Sequence, residues 1–199
     1  MTKFSAVNLT LAGAICMSFV GLLIRLIESA DGFQILFYRS IGMSLVILTL
    51  VCLRRNKSPF RVLKSLDRND FFMGICFSLA FLTYVFSMLN TSIASTLFLL
   101  SMSPIFAGCI GWFWINEKPH KVVWISMLIA LIGVSIMIKD GLADSKSFGN
   151  ILAIFSAIFF ALGLVQARKS KKTDVLGGTF LGALFSCFLG LLITVLLKN

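Results

Sequence analysis

The chain alternates between seven apolar stretches and short polar breaks. The stretches run from about Val7 to Ile27, Phe33 to Leu53, Phe71 to Leu89, Ala94 to the exit at Pro119, Val122 to Ile138, Phe148 to Gln166 and Val175 to Leu197. Each is close to the roughly 20 residues a helix needs to cross the hydrocarbon core of a bilayer. Only Asn90-Thr91-Ser92 separates the third stretch from the fourth, which predicts a tight antiparallel hairpin.

The fourth stretch, ASTLFLLSMSPIFAGCIGWFWINEKP, is the most marked and is the expected organising element. Pro104 in its middle removes a backbone donor and frees the carbonyl of Leu100. In lipid that carbonyl needs a partner from a neighbouring helix, from Ser101 or Ser103, or from water. Ser101, Pro104, Gly108 and Gly111 recur at helical spacing, so one face is small and interrupted, suited to close packing or a cavity wall. Trp112 and Trp114, followed by Asn116, Glu117, Lys118 and Pro119, mark the membrane exit.

Composition agrees with a polytopic membrane protein: 58% of the 199 residues are hydrophobic and 13% charged, about half the charged share of a soluble domain. The net charge of +10 falls in the loops, so it reads as a topology signal rather than a nucleic-acid surface. With the amino terminus inside, the inner side holds thirteen of the eighteen basic residues: Lys3, the six from Arg54 to Arg68, Lys118 and Lys121, and the four from Arg168 to Lys172. The outer side holds Arg25, Lys139, Lys146 and Lys198, and Arg39 lies within a span. The expected location is the plasma membrane, a bacterial inner membrane, with a cytoplasmic amino terminus.

Cys16, Cys52, Cys76, Cys109 and Cys187 stand singly in apolar runs, and His120 is the sole histidine. Neither a disulfide framework nor a metal or other cofactor is expected. The spans contain no Asp, no His and no paired carboxylates, so an enzyme is not expected.

A faint internal repeat relates Asn8-Leu9 to Asn150-Ile151 and Gly21-Leu22 to Gly163-Leu164. One copy starts inside and the other outside, the arrangement of inverted repeats. Residues 7–138 then form a first repeat of five spans, 139–147 an outer loop, and 148–199 the first two spans of a second repeat, which is cut short. The seventh span carries Gly178, Gly182, Ser186 and Gly190 at intervals of four, a ridge that lets another helix approach closely. The partner of that ridge is open at this point: another span of this chain, a further segment, a second copy or another protein.

These features together resemble the EamA family of the drug/metabolite transporter superfamily. The resemblance rests on the glycine-bearing first span, FYRSIGMSL around Arg39, NTSIASTLFLLSMSPIFAGCIGWFWINEKP, and WISMLIALIGVSIMI. It implies ten helices in two inverted repeats around a substrate cavity, and movement of amino acids, nucleotide-like metabolites or drugs. This chain departs from that pattern by ending after the seventh span. Two functions follow as expectations: a permease working by alternating access, or a half-permease without transport of its own that assists or regulates a partner. The partners expected are the lipid bilayer and a small-molecule substrate.

Arg39 is the sharpest single residue. An arginine inside a span costs about 2.5–3.5 kcal/mol on insertion scales, so it faces the bundle, water or the interface. It either anchors an anionic or carboxylate group of a substrate or snorkels to the headgroups. Tyr84 lies mid-span and either lines the cavity or packs with an internal hydrogen bond. Ser101 and Ser103 either face the cavity or bond back to helix carbonyls. Glu117 reads as a structural ion pair at the inner helix ends, and Gly178, Gly182 and Gly190 as packing positions.

Overall fold

The computed structural model describes residues 31–55, 66–116, 121–138, 147–170 and 175–198, with scattered residues between 8 and 26. The chain divides into two compact units, Met1–Asp31 and Gly32–Asn199. The described residues between 8 and 26 are helical. The second unit contains α1 (Gly32–Arg55), α2 (Arg68–Asn90), α3 (Ile93–Leu100), α4 (Ser103–Ile115), α5 (Lys121–Ile138), α6 (Ser147–Lys169) and α7 (Leu176–Lys198). No strand occurs among the described residues. With α3 and α4 taken as one broken span, five helices there are long and apolar enough to cross a membrane: Gly32–Leu53, Arg68–Asn90, Ile93–Ile115, Ser147–Lys169 and Leu176–Val195. The fifth apolar stretch is helical, and its apolar segment Val122–Gly133 is shorter than those five.

Helix α2 begins three residues before the apolar run. Asp70, in its first turn, accepts a hydrogen bond from the backbone N–H of Asp67 at 3.0 Å, which ties up a donor at the helix start. Asp70 is nonetheless buried. A Cβ on Gly177 would stand 3.2 Å from its Cγ, so the carboxyl group sits against the start of α7, where a helix terminus favours negative charge.

The centre of this unit is α2. It packs along both α6 and α7, α7 packs along α1, and α3 and α4 flank α6. Hydrogen bonds pin α2 to α6 at both ends. Thr91 donates to Asn150 Oδ1 at 2.9 Å, and Gln166 Nε2 donates to Asn69 Oδ1 at 3.1 Å. The start of one helix therefore meets the end of the other, so α2 and α6 run antiparallel. Midway, the buried Ser156 hydroxyl donates to the carbonyl of Ala80 at 2.9 Å.

The ridge on α7 is filled from within the chain. A Cβ on Gly178 would stand 2.6 Å from Met73 Cβ, one on Gly182 2.7 Å from Phe77 Cβ, and one on Gly190 3.0 Å from the carbonyl oxygen of Phe33. Ser186 completes the ridge, its hydroxyl 3.2 Å from that of Ser78. Glycine is required here because α2 and α1 occupy the volume of a side chain. Of the partners left open by sequence, this chain's own second and third spans hold the ridge; it is not left for a second copy.

The fourth span is broken where Pro104 predicts a disturbance. The N–H of Ser101 reaches the carbonyls of Leu97 and Phe98, and that of Met102 reaches Leu99 at 3.1 Å, so the last turn of α3 tightens. A new helix then starts at Ser103 with Pro104 in its first turn, where no donor is needed. The Ser101 hydroxyl donates to Phe98 O at 2.6 Å. It thus serves a carbonyl two residues before Leu100, the one that the proline was expected to free. Asn116 ends α4 in the left-handed region, φ 59°, which asparagine tolerates better than most residues.

Candidate functional site

Two residues singled out by sequence meet. Arg39, one third of the way along α1, lays its guanidinium 5.2 Å from the ring centroid of Tyr84 and 5.4 Å from that of Phe81, both on α2. Phe81 and Tyr84 are three residues apart and therefore share a helix face. Both rings are buried, whereas Arg39 is half-buried. Phe81 stacks on Phe77, which meets Phe160 of α6 at 5.6 Å between centroids. The cation thus sits at the end of an aromatic row that runs into the α2–α6 seam.

Rings stabilise a cation through their negative faces, but they accept no conventional hydrogen bond from it. Guanidinium has five N–H donors. Among the described residues, no hydrogen-bond acceptor or carboxylate engages Arg39, and none engages the hydroxyl of Tyr84. The site therefore offers a fixed positive charge, a phenolic hydroxyl and an apolar wall. That combination suits a ligand with an anionic head and an apolar or aromatic body.

The other candidates do not join it. Ser101 is exposed and bonded back to its own helix, and Ser103 is the first residue of α4. Pro104 is exposed, Gly108 is half-buried and Gly111 is buried, yet a Cβ on Gly111 would meet no atom within 4 Å. Gly178, Gly182 and Gly190 belong to the α7 seam. Glu117 lies outside the described residues, as do Lys118, Pro119 and His120. Phe81 escaped the sequence reading; its spacing of three from Tyr84 was the available signal, but the spacing does not say which helix faces it.

Against known proteins, the sequence profile described as "EamA-like transporter family" matches residues 4–139, more than half of the chain. The chain belongs to the EamA-like transporter family. Two uncharacterised transporters from two strains of Helicobacter pylori are similar over 178 residues, at 25% and 24% identity. Each alignment covers 86% of this chain and 57% of the relative, so the chain spans little more than half the length of the curated relatives it matches. No solved structure matches. Family and helices together define a multi-pass membrane protein of a transporter family, and the matched region includes Arg39, Phe81 and Tyr84.

Proposed function

We propose that this EamA-like chain takes part in moving a small metabolite across the membrane, and that Arg39 receives an anionic or carboxylate group of that metabolite while Phe81 and Tyr84 hold its apolar part. The observation that carries the reading is the half-buried guanidinium of Arg39, fixed on two rings and engaged by no hydrogen-bond acceptor among the described residues. A charge is retained inside a span at a cost, and an unoccupied donor fork is what a carboxylate matches.

The route we propose is alternating access between a first repeat at 7–138 and a second beginning at 148, joined by the loop 139–147. The antiparallel packing of α7 on α1, with Gly190 against Phe33 and Phe37, supports that reading, because these are the corresponding second helices of the two repeats. The charge asymmetry of the loops supports a cytoplasmic amino terminus; the membrane we propose is the plasma membrane.

Uptake tests it. Proteoliposomes holding the purified protein are offered labelled amino acids and organic acids. Arg39→Gln is expected to lower saturable uptake at least about tenfold at equal incorporation, from the cost of removing one partner of a buried charged contact, with partial retention in Arg39→Lys. Undiminished uptake in Arg39→Gln removes the residue from the site, and absence of saturable uptake in the unaltered protein defeats the transport reading.

A further inference from the structure

The opposite end of the fourth span carries a second candidate site, unrelated to Arg39. Cys109, Ile110, Phe113 and Trp114 line an open apolar groove of about 450 Å³. Their spacing places them on one face of α4. Five residues separate Cys109 from Trp114, about 7.5 Å of helix rise. Trp114 is next to last in α4, so the lining residues lie along the last two turns of that helix.

Charge lies beside one of these residues, Trp114. The Nζ of Lys169, the last residue of α6, lies 4.8 Å from the centroid of the Trp114 ring. The exposed Arg168 precedes it. Phe72 of α2 braces Trp114 from another direction, edge to face at 6.0 Å, and Trp112 meets Trp124 of α5 at 6.2 Å. Three tryptophans at one end of the bundle mark the headgroup level. In the orientation proposed above from the basic-loop asymmetry, this is the cytoplasmic end. Phe113 is 83% exposed, so the groove wall faces outward.

We infer that this groove binds an anionic phospholipid, the phosphate of the headgroup on Lys169 and Arg168 and an acyl chain along Cys109, Ile110 and Phe113. Two complementarities meet here: an open apolar face at the end of α4, and the positive charge of Lys169 held on the ring of Trp114 at the tryptophan level. A neutral lipid satisfies only the first, and a soluble phosphate only the second. Basic residues at the cytoplasmic mouths of clefts between spans are suited to anionic headgroups. The inference needs the protein to sit in a bilayer and does not depend on the transport reading.

The test is retention of lipid by the purified full chain, read by native mass spectrometry after exchange with phosphatidylglycerol or phosphatidylcholine of identical acyl chains. Phosphatidylglycerol is expected to be retained in preference, with about a fivefold contribution from each basic residue. Arg168→Gln with Lys169→Gln should abolish the preference, and Lys169→Arg should keep it. Phe113→Ala should weaken retention of both lipids. Equal retention of the two lipids by the unaltered protein, or a preference that survives the double substitution, overturns the inference. So does stabilisation by inorganic phosphate alone equal to that by the lipid, since the chain would then contribute nothing.

Discussion

The third and fourth spans are joined by two residues and have nearly the same length, yet they are built for different purposes. In α2, 12 of 23 residues are buried, and the helix is continuous. Across Ile93–Ile115, also 23 residues, only Ser95, Thr96, Leu99, Ala107 and Gly111 are buried, and the helix is interrupted at Ser101 and Met102. The first is the hub against which α6 and α7 lie. The second packs on one flank of α6 and leaves much of its surface outward. The fourth span, with its proline, tryptophans and polar exit, is the conspicuous one in sequence; the structural centre is its plainer neighbour.

The largest expected effect strikes the hub. In Gly182→Val, the new Cβ would fall 2.7 Å from Phe77 Cβ and 3.3 Å from the carbonyl oxygen of Gly74. Neither is the end of a flexible chain. The seam must widen, at a cost of about 3 kcal/mol, the upper part of the range for overpacking. Unfolding in detergent with increasing dodecyl sulfate measures it. Stability within experimental error of the unaltered protein would mean that α2 and α7 are not in this contact. A smaller effect is expected from Ser156→Ala. It removes the bond to Ala80 O, which spans α6 and α2 at 2.9 Å. Hydrogen bonds between helices in membranes average about 0.6 kcal/mol, and the Ala80 carbonyl keeps its place in its own helix. A loss above about 2 kcal/mol in the same assay would show that this contact is more than one bond in a packed seam.

How much of this was open to reading can be traced through particular residues. From the second stretch to the seventh, the described helices lie where the apolar runs place them, because a long uncharged stretch has few other folds available in lipid. The hairpin at Asn90-Thr91-Ser92 and the break near Pro104 were legible for the same kind of reason: too few residues for a longer loop, and a missing donor. The hub was not legible. Nothing in FFMGICFSLAFLTYVFSML announces that both its flanks will be covered, since lipid and protein neighbours favour the same apolar side chains. Among the α7 glycines, the four-residue interval disclosed a ridge but not its occupant, because several helices could fill it. Arg39 was visible as a charge out of place, and Tyr84 as a phenol out of water. Their meeting required knowing that α1 and α2 present those faces to each other, and that depends on α7 wedging against both.

In this comparison, the only substitution not expected to destabilise is at Gly111, and it sharpens the contrast most. Like Gly182 it is a buried glycine in the middle of an apolar helix. Unlike Gly182 it has nothing within 4 Å of a built Cβ. Gly111→Ala therefore meets no clash. It removes the flexibility penalty of glycine in a helix, for a change between zero and about 1 kcal/mol of stabilisation. If the same unfolding assay shows a loss above about 1 kcal/mol, the face of α4 at Gly111 is packed as tightly as the α7 seam, and the two spans are alike after all. If stability holds while uptake falls, the open space beside Gly111 is used during transport. The small face of the fourth span would then act as a wall that must stay clear rather than as a surface that packs.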